Sequence, residues 1–459
     1  MSADLLQKAV NIRREEVGAT LWSCGYFFCV LCSYYILRPL REEMGLAGGV
    51  RNLPWLYLCT LGAMLLLTPL FAALVARFSR RVFIPVTYGF FIANLLVFFA
   101  AFHVLPERGR IYLGRVFYVW ISVFNLFVVS VFWSLMADGF SLEQGKRLFG
   151  LIAVGGTLGA LVGAALTAGL VEHVGRINLI LFSAGLLVVA IWCVEQTRRR
   201  FDASPLGARE LGGQGTPGSP PAWEPERKPA REPARVGRAL DGITQTLRSP
   251  YLLAVCAYLF LYPLTSTFVY FEQANIVDVA FGTDRAGKVQ LFAQIDFWAS
   301  GLTLVLQVLL TGRIISRFGV GLGLMLLPIL TTAGFVTLGL APVLGVLVVF
   351  QVLRRAGNYG ITRPARETLF TVLPPLEKYQ AKNFIDTFVY RSADAAGAWI
   401  FGTCTAAGIG LSGMAFVAAP LALAWGAVGA VLGVAQRRLA RRQATSPARG
   451  TAAGVSAAP

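Results

Sequence analysis

Histidine is nearly missing from this chain, and charge is scarce. Only His103 and His173 occur in 459 residues, and Asp, Glu, Lys and Arg together make up 14%, against about 25% in an average soluble domain. No GxxxxGK[ST] phosphate loop, nucleophile elbow or HExxH stretch is present. These absences argue against an enzyme, and neither a cofactor nor a metal is expected. Cys24, Cys29, Cys32, Cys59, Cys193, Cys256 and Cys404 lie in or beside apolar stretches without metal-type spacing. They read as small hydrophobes rather than a disulfide frame. A removable signal peptide is not expected either, because residues 1–19 are polar and no small-residue cleavage site follows the first apolar run.

Apolar sequence is abundant. The chain is 56% hydrophobic with a mean hydropathy of +0.63, and the apolar residues come in runs such as Trp55–Val75, Val82–Phe102, Leu148–Leu170, Leu302–Leu310 and Gly321–Phe350. About 20 such residues cross a bilayer, so the lipid bilayer is the expected surrounding. Spans are predicted at 20–37, 54–76, 82–104, 111–136, 150–171 and 177–194, then at 250–271, 289–311, 320–341, 342–361, 384–408 and 412–435. The fold class is therefore an all-α integral membrane protein with twelve transmembrane helices. It divides into a polar segment (1–19, including a short amphipathic helix from Leu5 to Val17), a first half (20–194), a linker (195–249), a second half (250–435) and a tail (436–459). The linker, with TPGSPPAWEPERKPAREPAR at its centre, is too rich in Pro, Gly and charge to bury a core and reads as disordered, as does the tail.

The formal net charge of +17 invites a nucleic-acid reading, which its distribution opposes. Of 41 Lys and Arg, 31 fall in segments on one side of the predicted spans, 8 in the loops of the other, and Arg38 and Arg391 within spans. Such a bias sets topology, with both ends in the cytoplasm. No nucleic-acid partner is expected. An internal repeat accompanies it. At a constant offset of 236, Tyr26 meets Tyr262, Tyr34 meets Tyr270, Arg77 meets Arg313, Arg81 meets Arg317 and Gln144 meets Gln380. Six spans per copy keep the two halves parallel, an organisation in which solutes bind near the midplane between halves.

Ionisable residues inside spans cost about 2.5–3.5 kcal/mol each on insertion scales and mark functional sites by default. The richest stretch is Lys378–Gly402, with Asp386, Arg391 and Asp394 beside a small-residue turn. It reads as a helix lining a wet cavity; the alternative is that Arg391 and Asp394 pair with each other. Arg38, Arg41, Arg354, Arg355, Arg363 and Arg366 are further basic candidates, since guanidinium forks hold carboxylate or phosphate in bidentate fashion. Arg38 and Arg41 are weighed against snorkelling to headgroups, Arg354 and Arg355 against anchoring the basic end of span 10, and Arg363 and Arg366 against a cytoplasmic position. Glu42, Glu272, Asp296, Asp386 and Asp394 are the gating or coupling candidates. Asp296, in LFAQIDFWASGL, is either a proton carrier or the fixed partner of an arginine in span 1, 10 or 11. Tyr26 and Tyr34 are the aromatic candidates for the solute. Asn94, Asn125, Gln307, Gln351 and Asn358 read as inter-helix hydrogen bonds, and Gly156, Gly159 and Gly163 as close helix packing rather than a phosphate loop.

The connector LVARFSRRVF resembles the loop motif of the major facilitator superfamily through Arg77, Arg80 and Arg81, with Ala76 and Ser79 in place of its usual Asp and Gly. Two further segments resemble the bacterial and plastid ATP/ADP translocases: Leu37, Arg38, Arg41 and Glu42 at the end of span 1, and Tyr379, Ala381, Lys382, Ile385, Asp386, Thr387, Arg391 and Asp394 near span 11. Arg41 stands where those exchangers typically carry Lys. The resemblance implies alternating-access transport of an anionic solute, specifically nucleotide exchange, in the cytoplasmic membrane of a bacterium, by a monomer. A proton-coupled carrier of another organic anion and a non-transporting membrane receptor or assembly protein are the alternatives.

Overall fold

The computed structural model describes residues 12–77, 80–202, 246, 248–373 and 385–445. Twelve helical passes follow one another: α1 (Arg14–Ala47), α2 (Leu53–Arg77), α3 (Arg80–Val104), α4 (Glu107–Gly139), α5 (Leu142–Val174) and α6 (Leu179–Asp202) form the first half. The second half holds α7 (Pro250–Phe281), α8 (Arg285–Leu309), α9 (Thr311–Leu340), α10 (Leu344–Gly357), α11 (Tyr390–Ala406) and α12 (Leu411–Thr445). A π turn at Asn358–Thr362 and a helical turn at Arg363–Glu367 prolong α10, and a π turn at Ile385–Val389 leads into α11. Ten of these helices are long and apolar enough by themselves to cross a membrane. An even number of passes places the first and last described helix ends on one side, called here the termini side. The central part of the expected linker, the amphipathic stretch before Ile12 and the motif residues 374–384 lie outside the described residues, as does the repeat partner Gln380.

The two halves repeat each other in space as in sequence. The first residues of α1 and α7, Arg14 and Pro250, lie 236 positions apart, the same offset as the tyrosine and arginine pairs. The packing repeats too. A Cβ on Gly159 of α5 would come within 2.3 Å of the Phe28 carbonyl on α1, and one on Gly397 of α11 within 3.1 Å of the Leu264 carbonyl on α7. Small residues thus let the equivalent helix backbones touch, where dispersion rather than water expulsion holds helices together. The expected packing role of Gly156, Gly159 and Gly163 is met: their neighbours are Phe27, Phe28, Leu31, Cys32 and Tyr35 of α1.

Two helices run further than their hydropathy suggests. Span 1, expected to end at Leu37, continues as helix through Pro39 to Ala47, and span 7 continues from 271 to Phe281. Proline removes only one main-chain hydrogen bond and crowds one carbonyl. The charges beyond Pro39 face other helices rather than lipid: Glu43 is 1% exposed and accepts from Arg176 at 2.8 Å. Charge therefore does not end the helix, because its partners travel with it into the bundle.

Several contacts between halves lie away from the termini side. There Arg285 at the start of α8 lies 3.6 Å from Glu43 of α1 and 3.9 Å from Glu107 of α4. Trp55 of α2 meets Trp399 of α11 edge-on at 5.3 Å, and Tyr118 of α4 donates to the Tyr270 hydroxyl of α7 at 3.3 Å. These contacts close the far side of the molecule.

Candidate functional site: an arginine-lined cavity between the halves

Beneath this closure α1 carries a stripe at helical spacing, Phe27, Leu31, Tyr34, Arg38 and Arg41, all five of which line one cavity. The facing helix α8 supplies Asp296, Ser300, Thr303 and Gln307, again four or three residues apart. Helix α4 adds Asn125, Ser130 and Trp133, and the α10 pass adds Arg355, Tyr359, Arg363 and Glu367. The cavity holds about 660 Å³, within the range of small-molecule sites. It runs from the level of Arg38 and Asp296 towards the termini side, where Gln307 and Arg363 are exposed.

Its electrostatics are set at the closed end. Asp296 is 2% exposed, and its Oδ1 accepts from Arg38 Nη1 at 2.7 Å and from Arg355 Nη1 at 2.5 Å. One carboxylate from α8 thus joins α1 of the first half to α10 of its own half. The partner expected for Asp296 in span 1 or span 10 is present in both. Arg41 lies over the Tyr118 ring at 4.3 Å and 3.6 Å from Glu42, while its buried Nε has no hydrogen-bond partner among the described residues. Four arginines (38, 41, 355, 363) face two carboxylates (Asp296, Glu367) in the cavity wall, a balance that favours an anion in a space of lowered dielectric.

A smaller chamber of about 110 Å³ adjoins it, sharing Tyr34, Arg41 and Asn125 and bounded by Tyr57, Thr60, Tyr118, Ser122, Arg391 and Asp394. Arg391 donates to Asp394 at 3.2 Å, and Thr267 donates to the other Asp394 oxygen at 3.5 Å. Both readings of this pair hold at once, since the two residues bond to each other and also line the chamber.

The structure relocates several candidates. Tyr26 does not face the cavity; it is fully buried, shares a 2.5 Å hydrogen bond with the Tyr88 hydroxyl and packs on Phe132. Helix α1 has neighbours on nearly every side, so an aromatic residue on it need not point to the centre. Glu272 is 1% exposed within the second half, does not line the cavity, and its Oε1 has no hydrogen-bond partner among the described residues. Glu42 is buried, is not among the cavity-lining residues, and lies 3.6 Å from Arg41, which is. Asp386 lies in the π turn before α11, with its side chain outside the described residues. Arg355 does not anchor the basic end of its helix but reaches Asp296. Its neighbour Arg354 is buried and donates to Ser266 at 2.8 Å and Gln351 at 3.3 Å. Arg366 lies 3.6 Å from Glu367. Among the amides, Gln351 with Gln273, Asn358 with Tyr262 and Gln307 with the Tyr359 carbonyl bridge helices as expected, and Gln307 also lines the cavity, as does Asn125. In the sequence, the signal for this wall is the polar stripe of α8, where Asp296, Ser300, Thr303 and Gln307 share one helical face.

No protein-family profile matches the sequence, and no curated protein matches it. Solved structures do match the fold. The nucleoside transporter NupG aligns with 94% of this chain and 100% of its own at a TM-score of 0.51 and 13% identity. A bacterial homologue of the human lysosomal transporter Spinster, inward-facing and unoccupied, aligns with 95% and 100% at 0.53 and 13%. A POT family transporter in complex with 5-aminolevulinic acid aligns with 90% and 96% at 0.60 and 10%. At such identities the likeness establishes the fold, and the chain has the two-half, twelve-helix architecture of major-facilitator-type transporters.

Proposed function

We propose that the protein is a secondary transporter that moves an anionic solute across a membrane by alternating access, without covalent chemistry. The observation that carries this reading is the cavity between the halves, whose closed end is an ion triad of Arg38, Asp296 and Arg355. In the bilayer an arginine needs a counter-charge. A solute anion arriving from the termini side can replace Asp296 on either guanidinium, and this loosens the bond between α1 and α8. The halves then separate on the far side only when the arginines remain neutralised. By the loop-charge bias the termini side is cytoplasmic, which makes the described state inward-open. Both chambers are lined by residues of a single chain, which supports a monomer as the transporting unit.

Nucleotide exchange is the more specific form of this proposal. It rests on the two sequence segments that resemble ATP/ADP translocases, of which Arg38, Arg41, Arg391 and Asp394 contribute to the two chambers. Proton-coupled carriage of another organic anion is the second form, favoured by Asp296, a buried carboxylate that loses its partners when an anion takes them.

The test is uptake of labelled ATP into proteoliposomes loaded with ADP, beside empty vesicles and vesicles with an imposed proton gradient. Exchange predicts uptake only into loaded vesicles, and Arg41→Ala and Arg355→Ala abolish it. Uptake driven by the proton gradient supports the second form. Folded protein that binds no anion and transports none under any condition overturns the reading.

A further inference from the structure

The widened turn in the α10 pass has a local cause and a consequence for the solute. Pro364 has no N–H, and its ring would crowd the residue 360 carbonyl in a regular helix. The chain answers with the π turn Asn358–Thr362, in which the Arg363 N–H bonds to the Asn358 carbonyl. The Tyr359 carbonyl is then without a main-chain donor five residues on, because that position is Pro364. Gln307 Nε2 of α8 reaches it at 3.3 Å. Gly360 lets the two helices approach this closely: a Cβ there would lie 2.8 Å from the Leu306 Cβ. π turns of this kind recur at functional sites.

This turn presents Tyr359 to the cavity with 40% of its surface free. The other large aromatic residues of the cavity wall, Phe27, Tyr34, Tyr35 and Trp133, belong to the first half and are buried or half-buried. The Arg363 guanidinium lies over one face of the Tyr359 ring, 5.9 Å from its centroid, and the polar stripe of α8 runs beside the ring. A partly exposed aromatic ring on one half, backed by a guanidinium, opposed across the cavity by aromatic residues of the other half and edged by hydroxyl and amide groups, is a seat for a planar ring with polar atoms on its rim.

We propose that Tyr359 is a specificity-determining residue, and that the solute class is an anion bearing a planar ring which stacks on Tyr359 while its charged group engages Arg38 and Arg355. Gln307 acts as a positioning residue by holding the π turn. The proposal rests on the anion-transporter reading of the same cavity.

Pairs of anions that differ only by a ring test it. AMP and ribose 5-phosphate form one pair, phthalate and maleate another, each titrated calorimetrically into the full-length protein in detergent. The expected result is that the ringed member of at least one pair binds about tenfold more tightly, as one aromatic stacking contact provides. Tyr359→Ala erases that preference and Tyr359→Phe keeps it, since the ring and not the hydroxyl does the stacking. Gln307→Ala lowers the preference ratio at an unchanged melting temperature. Equal binding within both pairs, or a preference that survives Tyr359→Ala, overturns the ring seat and leaves anion transport standing. Binding of no member of either pair overturns the ring seat, and the anion reading falls with it when the uptake assay also shows no anion transport.

Discussion

Asp296 accepts from two arginines through a single oxygen, and those arginines come from helices in different halves. Its neutral counterpart would leave both guanidinium groups without a counter-charge at low exposure. Removing one member of a buried ion pair costs about 3–5 kcal/mol, so Asp296→Asn is expected to lower the melting temperature in detergent, with part of the loss restored by sulfate. A melting temperature equal to wild type, with or without sulfate, would show that the triad contributes no net stability. The same triad explains why the sequence left Arg355 open between an anion site and an anchor at the basic end of its span. An arginine near the basic end of a span satisfies the topology bias whether it points to headgroups or inwards, and only the position of α8 distinguishes the two. Tyr26 and Tyr34 illustrate the converse. They lie eight residues apart on one helix and look equivalent, yet Tyr88 claims the first and the cavity exposes the second.

Helices α1 and α5 approach until backbone meets backbone, and their glycines permit it. Gly159→Ala would place a methyl group 2.3 Å from the Phe28 carbonyl, too close for any rotamer to relieve, because the clash is with main chain. Overpacking of this kind costs about 1–3 kcal/mol. Gly301→Ala is the contrasting case. Its Cβ would sit 3.7 Å from Leu161 across the boundary between halves, an ordinary contact. Melting of the two variants side by side is expected to show a clear loss for Gly159→Ala and little change for Gly301→Ala; equal losses would mean that the close approach of α1 and α5 is not what the glycine serves. At this scale much was legible in the sequence. The glycine spacing, the six-plus-six division and the repeat offset all appear in the packing. The extension of α1 past Pro39 was not legible, because hydropathy treats Arg41, Glu42 and Glu43 as an exit from the membrane when their partners in fact accompany them.

For the whole molecule, the closure away from the termini side predicts which contacts must open. Pro54 of α2 and Gly402 of α11 meet there, with a Gly402 Cβ 3.8 Å from the Pro54 ring, and Glu43 with Arg285 joins α1 to α8 at the same level. A Pro54→Cys and Gly402→Cys pair, in a background free of the seven native cysteines, is expected to cross-link on oxidation and to stop uptake into proteoliposomes, with reduction restoring it. Uptake at an undiminished rate through fully cross-linked protein would contradict opening on that side.

By itself the sequence determined the class of the protein, the number and order of its passes, their repetition, and the presence of arginines and an aspartate where a membrane tolerates them only for a purpose. These follow from transfer free energy and helical period, which are local properties of the chain. The tertiary structure decided which charges meet. Arg38 and Asp296 are 258 residues apart, and nothing local distinguishes a charge that lines a cavity from one that is locked inside a half. The π turn that turns Tyr359 towards the cavity was likewise settled only by packing, because it needs both Pro364 on its own helix and Gln307 on another.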